Sequence, residues 1–159
     1  MSEARERTIS AGVPSYEQIR NLLGRYTECM DLGDFEALAQ LFTDARMTDF
    51  DGNLVGDGFE QIRDNYVNGT QMYDGRPGTK HVTTNVQIEV DEDAGTAWAR
   101  SAYVVFQATP NLPLQPIITG RYSDEFTRGD DGRWRFTLRR FAVDSMGDLS
   151  QHLTYSLGG

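Results

Sequence analysis

Apolar residues recur every three to four positions over residues 15–32. Tyr16, Ile19, Leu22, Leu23, Tyr26, Cys29 and Met30 share one face, the spacing of an amphipathic helix. Ser15 is a residue type that caps such a helix and Gly33 one that ends it. Asp34 can cap a second helix with Phe35, Leu38, Leu41 and Phe42 on its inner face. Residues 46–50 read as a short strand, with Asp51-Gly52 as a turn. A third helix over about 57–68 turns Phe59, Ile62 and Tyr66 inward. After a Gly/Pro loop over 69–78 the period changes from 3.6 to two. Val86, Ile88 and Val90 alternate with Asn85, Gln87 and Glu89, giving a strand over 81–90 and a turn over 91–95. A strand over 96–107 carries Trp98, Tyr103, Val104, Val105 and Phe106. Residues 109–116 hold three prolines, Pro110, Pro113 and Pro116, and predict a loop over a pocket mouth. Strands over 117–128 and 133–143 follow, joined by a turn over 129–132.

Three helices followed by four long strands define an α+β fold. An antiparallel sheet buries amphipathic helices by curling around them. The result is a cone with an apolar interior, open at one end, which suits a small molecule. One domain over 15–144 is expected, preceded by a polar arm over 1–14 and followed by a tail over 145–159 with no strong period.

The 159 residues suffice for one sizeable core. With 38% hydrophobic and 25% charged residues the class is soluble and globular. A net charge of −9 argues against nucleic acid or an anionic membrane as partner, and no apolar run is long enough to span a bilayer. The N-terminal residues lack the apolar segment of a secretory signal. The one cysteine, Cys29, fits a reducing cytoplasm and reads as a small core residue, with a catalytic thiol as the alternative.

His81 is one of two histidines, and at the mouth of a strand it suits proton chemistry near neutral pH. It needs a partner to fix its tautomer, and Asp31, at the end of the first helix, is the candidate. A carboxylate there is disfavoured by the helix dipole, so it either faces solvent or turns inward for a reason. On a regular strand His81 shares a face with Thr83, Asn85 and Gln87, opposite Val86 and Ile88. Either that polar face lines the pocket, or a bulge near Thr83-Thr84 changes the register. Otherwise His81 is a surface or structural histidine. Arg139 and Arg140 occupy opposite faces of the last strand, and the inward one requires an acid, from the protein or from a substrate. Tyr26, Tyr103 and Tyr122 are core aromatics or hydroxyl donors to a ligand. His152, in the tail, reads as solvated, unless the tail acts as a lid. Two histidines far apart and no other soft ligand at metal spacing leave no metal site. There is no phosphate loop and no nucleophile elbow.

The stretches YTECMDLGDFEALAQLFTD (26–44), GTKHVTTN (78–85) and DGRWRF (131–136) resemble the SnoaL-like branch of the nuclear transport factor 2-like superfamily over about residues 15–144. The resemblance implies a curved sheet wrapped around three helices, also called a cystatin-like fold. Enzymes of this group that the chain resembles are scytalone dehydratase, hexachlorocyclohexane dehydrochlorinase and bile-acid 7α-dehydratase. All use an Asp–His dyad, which falls on Asp31 and His81. An arginine on the final strand of the dehydrochlorinase falls on Arg139, and a helix-one pocket residue on Tyr26. The second histidine of scytalone dehydratase falls near Gln107, a departure that counts against that activity.

The resemblance implies a cofactor-independent acid/base enzyme, with no metal, acting on a small hydrophobic cyclic molecule. A dehydratase or other lyase is expected, with isomerase, polyketide cyclase and a non-catalytic binding or assembly domain as alternatives. The candidate catalytic residues are Asp31 and His81. The candidate substrate-binding residues are Tyr26, Tyr103, Gln107, Tyr122 and Arg139. A homo-oligomer, dimer or trimer, is expected through an outer sheet face carrying Trp98 or Trp134.

Overall fold

In a computed structural model of the chain, residues 12–157 are described. The expected N-terminal arm lies almost wholly outside them. The elements in order are α1 (Ser15–Leu32), α2 (Phe35–Gln40), β1 (Arg46–Asp49), β2 (Leu54–Asp57), α3 (Gly58–Gly69), β3 (Thr79–Asp91), β4 (Thr96–Thr109), β5 (Leu112–Arg128) and β6 (Trp134–Met146). The strands form one curved, unclosed sheet in the order β2-β1-β6-β5-β4-β3. Pairing is antiparallel throughout except between β1 and β6, which run parallel.

The helix ends follow from their residues, with one exception. Gly33 takes the left-handed conformation (φ 73°), and the Gly33 and Asp34 N–H groups donate back to Met30 and Cys29. That pair of hydrogen bonds closes α1, and the left-handed turn that makes it favours a residue without a Cβ. Asp34 Oδ1 accepts from the Ala37 N–H at 3.0 Å and caps α2. The exception is Ser15, which does not cap α1. The capping position is Pro14, whose carbonyl accepts from Glu17 and Gln18.

The core lies between α1, α2, α3 and the concave sheet face. Ile19, Leu38, Phe42 and Ile62 are fully enclosed, and Phe42 stacks on Phe136 at 4.9 Å. Each such side chain contributes roughly 1.5–3 kcal/mol. Trp134 is also core, 3% exposed, with its backbone N–H bonded to the buried Gln18. It therefore leaves the outer face to Trp98. Tyr103 lies across Gly120, where any Cβ would collide with its ring and with the Ala142 carbonyl. This is one place where glycine is required by close approach.

Pro110 sits in the turn, but Pro113 and Pro116 lie within β5 and do not make a loop. β4 and β5 meet in a tight hairpin, with Phe106 opposite Pro116 and Thr109 opposite Leu112. The physical reason is edge exposure. β6 pairs with β5 only from Ile118 onward, and Gly147 just beyond it bonds Ile117, so residues 112–116 have a strand neighbour on one side. A proline lacking N–H is tolerated there, and register shifts flank the site. β2 is a four-residue strand that periodicity did not predict; it is too short for an alternation to register. β6 extends to Met146, and the segment after it folds back onto the body through a bridge between Thr70 and Leu153.

Candidate active site

Asp31 sits in the last turn of α1 and points inward, onto β3. β3 is the edge of the sheet, so part of its backbone lacks a strand partner. The carboxylate supplies one: the His81 N–H donates to Asp31 Oδ2 at 2.9 Å. The Thr79 hydroxyl donates to Oδ1 at 2.9 Å, and the His81 ring nitrogen Nδ1 lies 2.6 Å from Oδ1. Three donors converge on one carboxylate, which offsets its unfavourable place at a helix C-terminus. Thr79 was not singled out from the sequence, although two residues before His81 it shares that strand face.

The parity problem of β3 is solved by a bulge. Its pairing with β4 shifts between Thr84 and Gln87, and Asn85 has φ 54°. Asparagine is one of the few side chains that accept this left-handed conformation. One extra residue moves His81 and Thr83 onto the same inward face as Val86 and Ile88. The bulge lies one residue beyond the expected Thr83-Thr84 position.

With Nδ1–H donated to an acceptor-only carboxylate, the His81 lone pair is on Nε2. His81 lines a cavity of about 310 Å³, open at one end. Its walls are mainly apolar, with Met30, Met47, Val105, Ile118 and Phe141 among them. Asp31 stands behind the imidazole and does not line the cavity.

The other candidates divide. Tyr26 lines the cavity, and its hydroxyl shares a 2.6 Å hydrogen bond with Tyr66, a residue that the candidate set omitted. Tyr122 also lines it and stacks on Tyr103 at 4.4 Å. Tyr103 donates to the Ala142 carbonyl at 3.0 Å, so its hydroxyl is committed to the scaffold. Burial pushes the phenols of Tyr66, Tyr103 and Tyr122 above their ordinary value, and neighbouring tyrosine hydroxyls add to it. All three stay neutral at physiological pH.

Arg139 is the inward arginine, 1% exposed. Its acid is a protein one: Nε and Nη2 donate to the two oxygens of Asp124 at 2.8 and 2.9 Å. Its guanidinium lies between the rings of Tyr26 and Tyr122, at 4.2 and 4.0 Å. Burial works against its charge, but Asp124 outweighs burial and holds the group protonated. Asp124 faces Arg139 directly across β5 and β6. Only the strand register identifies it, which is why the sequence did not.

Gln107 is not a pocket residue. It is fully enclosed, and its Nε2 donates to the carbonyls of Pro77 and Gln151 at 3.0 and 2.9 Å. It ties the C-terminal segment to the 69–78 loop. His152 is not solvated either. It is 7% exposed and lines the same cavity, with its ring 6.5 Å from that of His81. Burial, and then the nearness of His81, push its imidazole down to about 4. Cys29 is enclosed, and burial raises its thiol to about 11, so it is a core residue and not a nucleophile. Among the described residues no three His, Cys, Asp or Glu side chains come together as a metal site, and no helix is long and apolar enough to cross a membrane.

Residues 12–140 match the SnoaL-like domain family. Among proteins of curated function none matches. Solved structures share the fold. A protein of unknown function from Mycobacterium tuberculosis is 29% identical over 82% of this chain and 72% of that one, with a TM-score of 0.66. A nuclear transport factor 2-like protein with a cystatin-like fold from Novosphingobium aromaticivorans is 25% identical over 80% of each chain, with a TM-score of 0.64. A candidate scytalone dehydratase from the same bacterium is 21% identical over 84% of this chain and 86% of that one, with a TM-score of 0.64.

Proposed function

The chain belongs to the SnoaL-like domain family, and from that premise we propose that it is an acid/base enzyme acting without a cofactor on a small hydrophobic cyclic molecule. The observation that carries this is the 2.6 Å contact between His81 Nδ1 and Asp31, with the other face of the imidazole on an apolar cavity. In the proposed step, His81 Nε2 takes a proton from a ring carbon. The freed electron pair expels a leaving group from the neighbouring carbon, or moves onto an adjacent carbonyl. Asp31 holds the tautomer and balances the imidazolium that forms. The first course is a dehydratase or other lyase reaction. The second, with the proton returned elsewhere, is an isomerisation or the opening step of a cyclisation. Arg139, which lines the cavity between the Tyr26 and Tyr122 rings, contributes a fixed positive field.

A second reading is ligand binding without turnover. It is favoured by the commitment of Arg139 to Asp124, which takes two of its nitrogens from any departing anion. Assembly into a dimer or trimer through the outer sheet face, where Arg100 covers Trp98, belongs to either reading, and sedimentation tests it.

A general probe separates the two. Opening of 5-nitrobenzisoxazole needs only a base in an apolar pocket: loss of its heterocyclic C–H proton breaks the N–O bond and releases a coloured nitrophenolate. The wild type is expected to catalyse it, and His81→Ala to lose about 10²–10⁴ in rate. Equal rates for the two proteins would leave the binding reading.

A further inference from the structure

His152 is a buried imidazole to which neither the family nor the dyad gives a task. Its surroundings are unusually fixed. Gln71 Nε2 donates to the carbonyls of Ser150 and Leu153 at 2.7 and 2.6 Å. The Tyr73 hydroxyl and Gln107 Nε2 donate to the Gln151 carbonyl at 2.6 and 2.9 Å. The Gln71 N–H donates to the carbonyl of His152 itself at 2.8 Å. Every residue from 150 to 153 is therefore pinned by its backbone. The side chain at the centre of this clamp is left without a hydrogen-bond partner among the described residues, and its Nδ1 is wholly enclosed. Buried polar groups are rarely left unpaired, and a rigid mount for an unpaired one is the arrangement of a ligand-binding group.

We propose that His152 is a ligand-binding residue whose neutral imidazole donates a hydrogen bond from Nε2 to an oxygen of a cyclic ketone, enol or alcohol held in the cavity. An unpaired buried N–H costs more than an unpaired lone pair, so the proton belongs on Nε2 and not on the enclosed Nδ1. The low pKa keeps the ring neutral at physiological pH, and a neutral imidazole is a competent donor to a carbonyl. The two rings stand side by side in the cavity wall. Their centroids, 6.5 Å apart at 65°, lie within direct aromatic contact distance, so no ligand ring fits between them. Both rings line the one cavity, so a single ligand there can meet both. This rests on the cavity being the ligand site, as in the function proposed above, but not on His81 acting as a base.

The test uses the full chain with 1-tetralone and tetralin, two bicyclic probes that differ by the carbonyl oxygen. Binding of both is measured by calorimetry to wild type, His152→Phe and His152→Gln. The ratio of tetralin to tetralone Kd is expected to fall about three- to tenfold in His152→Phe, the worth of one hydrogen bond. His152→Gln, which keeps a donor, restores most of it. Infrared spectra of carbonyl-¹³C tetralone give the signature that packing alone does not move. The bound band is expected at low wavenumber in wild type and near its hydrocarbon-solvent position in His152→Phe. A wild-type band already at the hydrocarbon position, an unchanged ratio in His152→Phe, or no binding of either probe by the wild type overturns the proposal. A His152-dependent ratio with no nitrobenzisoxazole opening would sink the acid/base reading alone.

Discussion

Asp31 holds His81 at two points, its ring at 2.6 Å and its main-chain N–H at 2.9 Å. One carboxylate thus sets both where the imidazole stands and how it is turned. Asp31→Asn puts an amide N–H₂ among three donors. We expect the base to lose about 10²–10⁴ in rate and the fold to lose about 1–3 kcal/mol. Nitrobenzisoxazole kinetics and urea denaturation of the variant measure the two separately. A variant with the full rate would show that the carboxylate serves the scaffold only.

Asn85 sets the face on which His81 appears, through a left-handed backbone. Asn85→Gly is expected to be near neutral. Asn85→Val forces a β-branched residue into that conformation and should cost about 1–3 kcal/mol, with activity falling as the bulge relaxes. Thermal denaturation of the pair checks the difference.

Arg139 and Asp124 are each enclosed, at 1% and 0% exposure. Asp124→Leu leaves an unpaired guanidinium in the core and is expected to cost about 3–5 kcal/mol. The double variant Asp124→Leu with Arg139→Met removes both charges and should recover most of it. Chemical denaturation of the single and double variants decides. Equal losses would mean that the aromatic sandwich, rather than the charge pair, needs the arginine.

His152 makes stability depend on pH. Its imidazole titrates near 6.5 when unfolded and near 4 when folded, in an environment faced by His81 and Asp31. The unfolded chain therefore takes the proton first as pH falls. The native state is at full strength above about pH 6.5 and loses about 3 kcal/mol by pH 4. His152→Phe is expected to flatten the denaturation midpoint over that window. An unchanged slope would show that the imidazole charges in place.

Much of this was legible without coordinates. The α1 face, the Gly33 stop and the alternation of β3 come from local rules, and local rules hold where the chain packs against itself in sequence order. The Asp31–His81 pair was a candidate from residue type and placement, and the motif resemblance strengthened it. Other features depend on distant neighbours. Pro113 and Pro116 read as loop because a proline disfavours a strand, and only the local absence of β6 alongside makes the strand tolerable. Asp124 becomes the partner of Arg139 only once the β5–β6 register is known. His152 lies in a segment with no period, and it is placed by Gln71, Tyr73 and Gln107, side chains from elsewhere in the chain.

The parallel ladder between β1 and β6 carries a cost in time. Arg46 pairs with Leu138, so the β1–β2 hairpin must wait for a partner synthesised far downstream. Contacts of such long range slow folding, because the chain must close a large loop before the ladder rewards it. Until then β1 presents a bare edge to other nascent copies. Its brevity, four residues, and its exposed Arg46 limit that hazard.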